Sequence, residues 1–250
     1  MVAIVNQKGG VGKSTTAINL AAYLAEKGKR ILVVDMDPQG NATSGLGVTS
    51  DSGGCMYDVL LEGKPLQEVA VRTGIGGLDV APATINLVGA EVELVASIAR
   101  EFKLKRALEK LPPEAYDMVL LDCPPSLDLL TLNALTAADE MLIPIQCEYY
   151  ALEGLTQLMQ SVKMVREELN PGLEVGGVLL TMFDPRTNLA HEVADEVRSF
   201  FGDLVFHTIV PRNVRLSEAP SFGLPIALYA PKSTGAEAYA AVAEEVLSRG

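Results

Sequence analysis

Two lysines, three glycines and a hydroxyl crowd into seven residues, Lys8-Gly9-Gly10-Val11-Gly12-Lys13-Ser14, two positions after the apolar run Val2–Val5. Glycines let the backbone turn sharply, and the helix that Lys13 and Ser14 would open aims its N–H groups at an anion. Lys13 can then neutralise β- and γ-phosphate oxygens while the Ser14 hydroxyl ligates Mg2+, an ion that takes oxygen ligands and keeps several waters. A bare glycine turn is the weaker reading, because two ammonium groups held this close repel one another unless an anion is present. The general phosphate-loop spacing GxxxxGK[ST] asks for glycine at position 7, and this chain has Gln7 there.

Three aspartates could complete such a site. In Val34-Asp35-Met36-Asp37-Pro38-Gln39-Gly40-Asn41 the two acids alternate, so on a strand both carboxylates point the same way and make one polar edge for metal and water. Asp35 stays open between a strand-end residue, a partner at one remove from Mg2+, and a direct role. The apolar Met118–Leu121 closes on Asp122, a strand whose terminal carboxylate suits holding Mg2+. That pattern is weak alone and strong beside a phosphate loop. Cys123 reads as packing rather than a nucleophile, and Asp128 as a charge at a helix N-terminus.

Short apolar runs alternating with longer amphipathic stretches must position these groups, which predicts a parallel sheet covered by helices. Strands are expected at Val2–Val5, Ile31–Asp35, Leu78–Ala81, Met118–Asp122, Met141–Ile145, Val175–Thr181 and Val205–Val210. Helices are expected at Lys13–Lys27, Ile85–Ile98, Phe102–Leu111, Leu127–Ala137, Leu152–Leu169, Leu189–Phe201 and Ala236–Ser248. Right-handed crossovers make a doubly wound, mostly parallel α/β sheet the economical arrangement. Its ligands bind beyond the carboxyl ends of the strands, where four polar loops fall: NQKGGVGKS, DMDPQGNATSG, DCPPS and PRNVRLSEAPSFG. Asp51–Gly54 and Pro112–Pro113 read as turns.

The chain has 250 residues, 48% of them hydrophobic, 21% charged and 5% aromatic, with a net charge of −12. This suits a single globular domain over residues 1–250 and excludes a disordered chain. No apolar run approaches the ~20 residues that span a bilayer, and no charged leader precedes the first strand, so the expectation is a cytoplasmic protein. Cys55, Cys123 and Cys147 form no CxxC pair, which argues against a disulfide framework or zinc site. With only His191 and His207, a histidine metal site or a Ser/His/Asp triad is disfavoured.

The pattern KGGxGK[ST], with its additional lysine, resembles the deviant Walker A motif of the ParA/MinD group of P-loop ATPases. DPQGN resembles that group's switch I, and Asp122-Cys123-Pro124-Pro125-Ser126 its DxPPS switch II. NQKGGVGKSTTAINLAAYLA, DPQGNATSGLG, TMFDPRTNLA and IVPRNVRLSEAPSFG resemble the chromosomal ParA (Soj) branch, so the resemblance covers essentially the whole chain. It implies ATP bound by Lys8, Gly9, Gly10, Val11, Gly12, Lys13, Ser14 and Thr15, with Met182, Pro211, Arg212 and Asn213 about the adenine. It implies Mg2+ at Ser14, Asp37 and Asp122, with Asp37 orienting or activating the attacking water. It also implies an ATP-bound homodimer in which Lys8 reaches the partner's phosphates, sequence-independent binding of double-stranded DNA, a ParB-type partner that stimulates hydrolysis, and a nucleoid-associated place in segregation of chromosome or plasmid.

The acidic total argues against gripping DNA, since such binding rests on lysines and arginines, although local distribution can overrule it. Arg186 and Arg215 match family positions implicated in DNA contact; without the resemblance they read equally as loop arginines in surface ion pairs. Lys103, Lys105 and Arg106 read as a solvated helix face. A MinD-like membrane-cycling regulator would need a basic amphipathic C-terminus, whereas this end is short and acidic. A nitrogenase-type iron protein would need cluster-ligating cysteines. A small-molecule ligase or kinase would need a second substrate pocket that the sequence does not display.

Overall fold

The structure is a computed structural model that describes residues 1–49, 53–148 and 151–249. Asp51 and Ser52 of the expected turn Asp51–Gly54 lie outside the described residues. In chain order the main elements are β1 (Val2–Ile4), α1 (Lys13–Glu26), β2 (Ile31–Asp35), α2 (Asn41–Gly45), α3 (Leu66–Val69), β3 (Val71–Arg72), β4 (Leu78–Ala81), α4 (Leu87–Leu94) and α5 (Lys103–Leu108). They continue with β5 (Met118–Asp122), α6 (Leu129–Ala137), β6 (Glu140–Gln146), α7 (Ala151–Glu168), β7 (Glu174–Thr181), α8 (Asn188–Phe201), α9 (Val214–Glu218), α10 (Ile226–Tyr229) and α11 (Thr234–Arg249).

The seven strands form one sheet in the order β3-β4-β2-β5-β1-β6-β7. All pairings are parallel except β3 on β4. Strand side chains alternate between faces, and here both faces are covered, which is why the strands read as continuous apolar runs. Ala3, Leu32, Val34, Leu121 and Ile143 pack on one side with Leu94, Leu104, Leu130, Leu158 and Val193 of α4 to α8. Ile4, Ile31, Val33, Leu120 and Leu142 pack on the other with Leu20 and Leu24 of α1 and Tyr239 and Val242 of α11. Helix α1 is rich in Ala and Leu, which favour helix, and it ends before Gly28, whose φ of 82° only glycine adopts freely.

Two expectations need correction. Val205–Val210 is not a strand; it meets β7 at one isolated bridge, Val178 with Val205, and donates to it from Phe206 N to Val178 O and from Val210 N to Leu180 O, each at 2.9 Å, while a second bridge, Phe183 with Pro211, lies just beyond both segments. The reason is a competing acceptor. The backbone N–H groups of His207 and Thr208 donate to the Glu245 carboxylate of α11, at 2.8 and 3.1 Å, so they are not offered to a ladder. The antiparallel β3, two residues long, was not expected. It carries too little pattern to show alternation.

Candidate functional site

The loop between β1 and α1 wraps the end of the central strand. Gly10 and Gly12 take left-handed φ values of 76° and 93°, conformations in which a side chain would be strained. Gly12 occupies the N-cap of α1, where no side chain caps the helix and no acid sits in the first turn. The free N–H groups and positive dipole end there suit an anion. Three hydrogen bonds anchor the loop: Asn6 Nδ2 donates to Pro144 O at 2.7 Å, Lys8 N to Asn6 Oδ1 at 3.0 Å, and Thr181 Oγ1 to Val11 O at 2.8 Å.

Lys13 is buried, and its ammonium donates to Lys8 O at 3.2 Å. Burial lowers its pKa, opposed first by Asp122 and also by Cys123 and Asp37. Asp35 and Asp122 are register partners at the ends of β2 and β5 and are fully buried. Asp35 accepts from the backbone and hydroxyl of Thr43 at 2.8 and 2.7 Å and from Asp37 N at 3.1 Å. Burial nevertheless pushes its carboxyl up to about 6. The Thr43 hydroxyl in turn accepts from Ala83 N at 3.0 Å. Asp35 therefore ties the start of α2 to the backbone just after β4, which favours the structural reading of that residue over a direct one. Asp37 is buried at 6% exposure, and its Oδ1 accepts from Gln39 N at 2.9 Å.

Asp122 is unlike its neighbours, since neither carboxylate oxygen has a hydrogen-bond partner. Burial first, then the Asp35 charge, push its pKa well above the usual range, with the nearby Ser14 hydroxyl and Lys13 opposing. A buried polar atom without a partner is costly, so a hydrated cation between Asp122 and Ser14 fits the donors present. Cys123 is buried, and burial with Asp122 pushes its thiol up, away from a nucleophilic thiolate.

A cleft of about 370 Å³ opens over Gly9, Gly12, Lys13, Asp37, Pro125 and Met182. It runs into a second space of about 160 Å³ bounded by Met182, Pro211, Arg212 and Asn213, with Gly12, Thr15, Met182, Leu216 and Ser217 shared between them. Of the residues expected from the sequence, Gly9, Gly10, Gly12, Lys13, Ser14, Thr15, Asp37, Met182, Pro211, Arg212 and Asn213 line the trough that these two adjoining spaces form, whereas Lys8, Val11 and the buried Asp122 do not. Met182 sits at φ 51°, a non-glycine residue in the left-handed region. That strain presents its side chain at the bend between the two spaces. Asn213 caps α9, accepting from Arg215 N at 2.8 Å, while its amide donates to Thr234 Oγ1 at 2.9 Å. Beyond the trough, a Cβ on Gly47 would meet Gly223 O at 2.8 Å, so the loop after α2 and the turn before α10 touch through glycines.

Lys8 does not face the trough. Its ammonium pairs with Glu148 Oε2 at 3.0 Å. Arg186 forks onto Asp184 at 2.8 and 2.6 Å, and Arg215 pairs with Glu218 at 2.8 Å, so each expected DNA contact is presently a local ion pair. Sequence reasoning did not single out Thr43, Thr181 or Glu148, whose roles depend on contacts across 8 to 170 residues of chain.

A family model described as an AAA domain matches residues 1–175. The chain is 57% identical to the sporulation initiation inhibitor protein Soj of Bacillus subtilis, over 100% of this chain and 99% of that relative. It is 55% identical to the chromosome-partitioning ATPase Soj of Thermus thermophilus, over 99% and 95%. Among solved structures it superposes with a TM-score of 0.85 on cobyrinic acid a,c-diamide synthase from Mycobacterium smegmatis with bound ADP and magnesium, 39% identical and covering 98% of this chain and 93% of that one.

Proposed function

The chain belongs to the ParA/Soj family of chromosome-partitioning ATPases, and from that premise we propose that residues 1–250 act as one ATPase domain that hydrolyses ATP in the trough beside α1. The α1 N-terminus and Lys13 hold the phosphates, Met182 and Pro211–Asn213 flank the adenine, and Ser14, Asp122 and Asp37 hold Mg2+. The ion would supply positive charge against the developing negative charge of the transferred phosphoryl group. Asp37 orients a water whose oxygen bonds to the γ-phosphorus as the bridge to ADP breaks. The observation that carries this reading is Asp122, buried with both oxygens unpartnered beside Ser14 and Lys13. Among the described residues no three acids, histidines or cysteines form a metal cage of their own. That suits an ion held through one or two carboxylates together with substrate phosphates.

The same reading extends to an ATP-dependent homodimer bridged by Lys8, sequence-independent DNA binding through Arg186 and Arg215, and stimulation by a ParB-type partner. Such a protein works in the cytoplasm on the nucleoid, serving chromosome or plasmid segregation. One observation weighs against a membrane-cycling role: α11 spends its C-terminal end on internal contacts. Val246 and Leu247 pack on the core, and Arg249 pairs with Glu245 and lies 4.2 Å over the Phe206 ring.

The test is a pair of substitutions. Lys13→Ala loses ATP binding, because Lys13 compensates phosphate charge in the ground state, whereas Asp37→Ala binds ATP and loses turnover by about 100-fold or more. Equilibrium binding of a fluorescent ATP beside phosphate release measures both. Normal turnover in Asp37→Ala removes that residue from the mechanism.

A further inference from the structure

Past Leu204 the chain runs beside β7 and carries Pro211, Arg212 and Asn213 to the space that Met182 borders. It does not keep step with its neighbour. From the bridge of Val178 with Val205 to that of Phe183 with Pro211, one side advances five residues, 178 to 183, and the other six, 205 to 211. The extra residue bulges, and its part of the backbone is left without ladder partners. Phe206 N and Val210 N, on either side, still donate to Val178 O and Leu180 O. Between them, His207 N and Thr208 N turn to α11, where Glu245 accepts the first on Oε1 at 2.8 Å and the second on Oε2 at 3.1 Å.

Glu245 is itself held in place. Arg249, one turn on, pairs with its Oε1 at 2.7 Å and donates to Leu204 O and Val205 O at 3.2 and 3.1 Å. The same helix meets the base end of the trough at two earlier points. Tyr239 lines that space, its hydroxyl 3.0 Å from the Thr16 hydroxyl of α1, and Thr234 Oγ1 accepts from Asn213 Nδ2 at 2.9 Å.

We propose that Glu245 is a positioning residue for recognition of the nucleotide base: by holding the N–H groups of the bulge it fixes the register in which Pro211–Asn213 arrives opposite Met182. This rests on the reading of the trough as an ATP site. Glu245 does not line the trough, so it acts through the backbone of residues 207–210. Without its carboxylate, two donors lose their acceptor and the segment can rejoin the β7 ladder one residue along. Such a slip moves the chain by about 3.3 Å and turns each side chain to the opposite face. Pro211 and Asn213 then leave the wall, whereas the phosphate loop, anchored through Asn6 and Thr181, keeps its shape.

The test compares ATP with GTP, which carries the same sugar and phosphates, by isothermal titration of full-length protein with Mg2+. The parent is expected to bind ATP more tightly than GTP. Glu245→Ala should weaken ATP about tenfold and leave GTP within about twofold. Its KM for ATP should rise in parallel at unchanged kcat, the signature of lost binding rather than lost chemistry. Glu245→Gln keeps one acceptor oxygen, hence one of the two N–H groups, and should lose about threefold for ATP alone; this graded loss distinguishes positioning from a variant that has merely unfolded. Glu244→Ala removes the neighbouring carboxylate, which pairs with Lys27 at 3.0 Å, and should match the parent for both nucleotides. Equal weakening of ATP and GTP in both Glu245 variants, unchanged ATP affinity in Glu245→Ala, or a fall in kcat at unchanged KM overturns the proposal. A parent that binds ATP and GTP alike overturns it too and leaves the ATPase reading standing, while a parent that binds neither ends both.

Discussion

Asp35 and Asp122 give the site a pH signature. In the unfolded chain each carboxyl titrates in the ordinary range, whereas in the fold burial raises both, Asp35 to about 6. Between about pH 4 and pH 6 the folded protein therefore holds protons that the unfolded chain has released, so stability falls as pH rises through that window. For Asp35 the shift from 3.8 to about 6 corresponds to at most about 3 kcal/mol. Urea midpoints of nucleotide-free protein at about pH 4.5 and 6.5 should show this slope, and Asp35→Asn should flatten it. An unaltered slope would assign the effect to another group. Lys8 carries a second prediction at this scale. Among the described residues its ammonium pairs with Glu148, outside the trough, so Lys8→Ala should bind ATP normally and fail to dimerise in light scattering. Normal dimers would end the trans role.

The strand β7 holds the phosphate loop through a single hydroxyl, Thr181 Oγ1 on Val11 O. Thr181→Val keeps the shape and deprives a buried carbonyl of its donor. It should cost about 1–2 kcal/mol in urea unfolding and weaken ATP binding several-fold at unchanged kcat; a changed kcat with unchanged ATP affinity would mean that the hydroxyl positions chemistry instead of the loop. Most elements were legible because their cause is local. The runs Ile31–Asp35 and Met118–Asp122 are buried on both faces and read as strands without help from neighbours. The Val205–Val210 segment is also largely apolar and failed, because Glu245, 37 and 38 residues away, takes the N–H groups of Thr208 and His207 in its middle. Short polar helices such as α2 and α9 have no apolar period to read. They exist because Asp35 and Asn213 fix their first turns. In the site, glycine and charge patterns exposed Lys13, Ser14 and Asp122, while Thr43 and Thr181 had no local signal at all.

A molecule with net charge −12 can hold DNA only by concentrating its few cations. Arg186 lies on the loop after β7 and Arg215 in the first turn of α9, on chain segments joined by the Phe183 and Pro211 bridge, but each is engaged by its own carboxylate. DNA phosphates must compete with Asp184 and Glu218, so binding should depend steeply on salt. Arg186→Glu or Arg215→Glu in an Asp37→Ala background with ATP should lower the slope of log K against log salt by about one unit for each phosphate no longer neutralised. Asp184→Asn should tighten binding by freeing the fork. A duplex titration across salt concentrations reads all three, and undiminished binding in the double arginine variant would move the DNA surface toward Lys103–Arg106. The trough itself joins distant parts of the chain. Its floor comes from Gly9, Gly10 and Gly12 to Thr15, while its far wall comes from Met182, Pro211, Arg212, Asn213 and Pro220. Synthesis runs from one to the other. The residues that meet phosphate are made almost first, but their anchors at Pro144 and Thr181 come far later, and the surface that can tell one base from another is complete only when the last fifth of the protein leaves the ribosome.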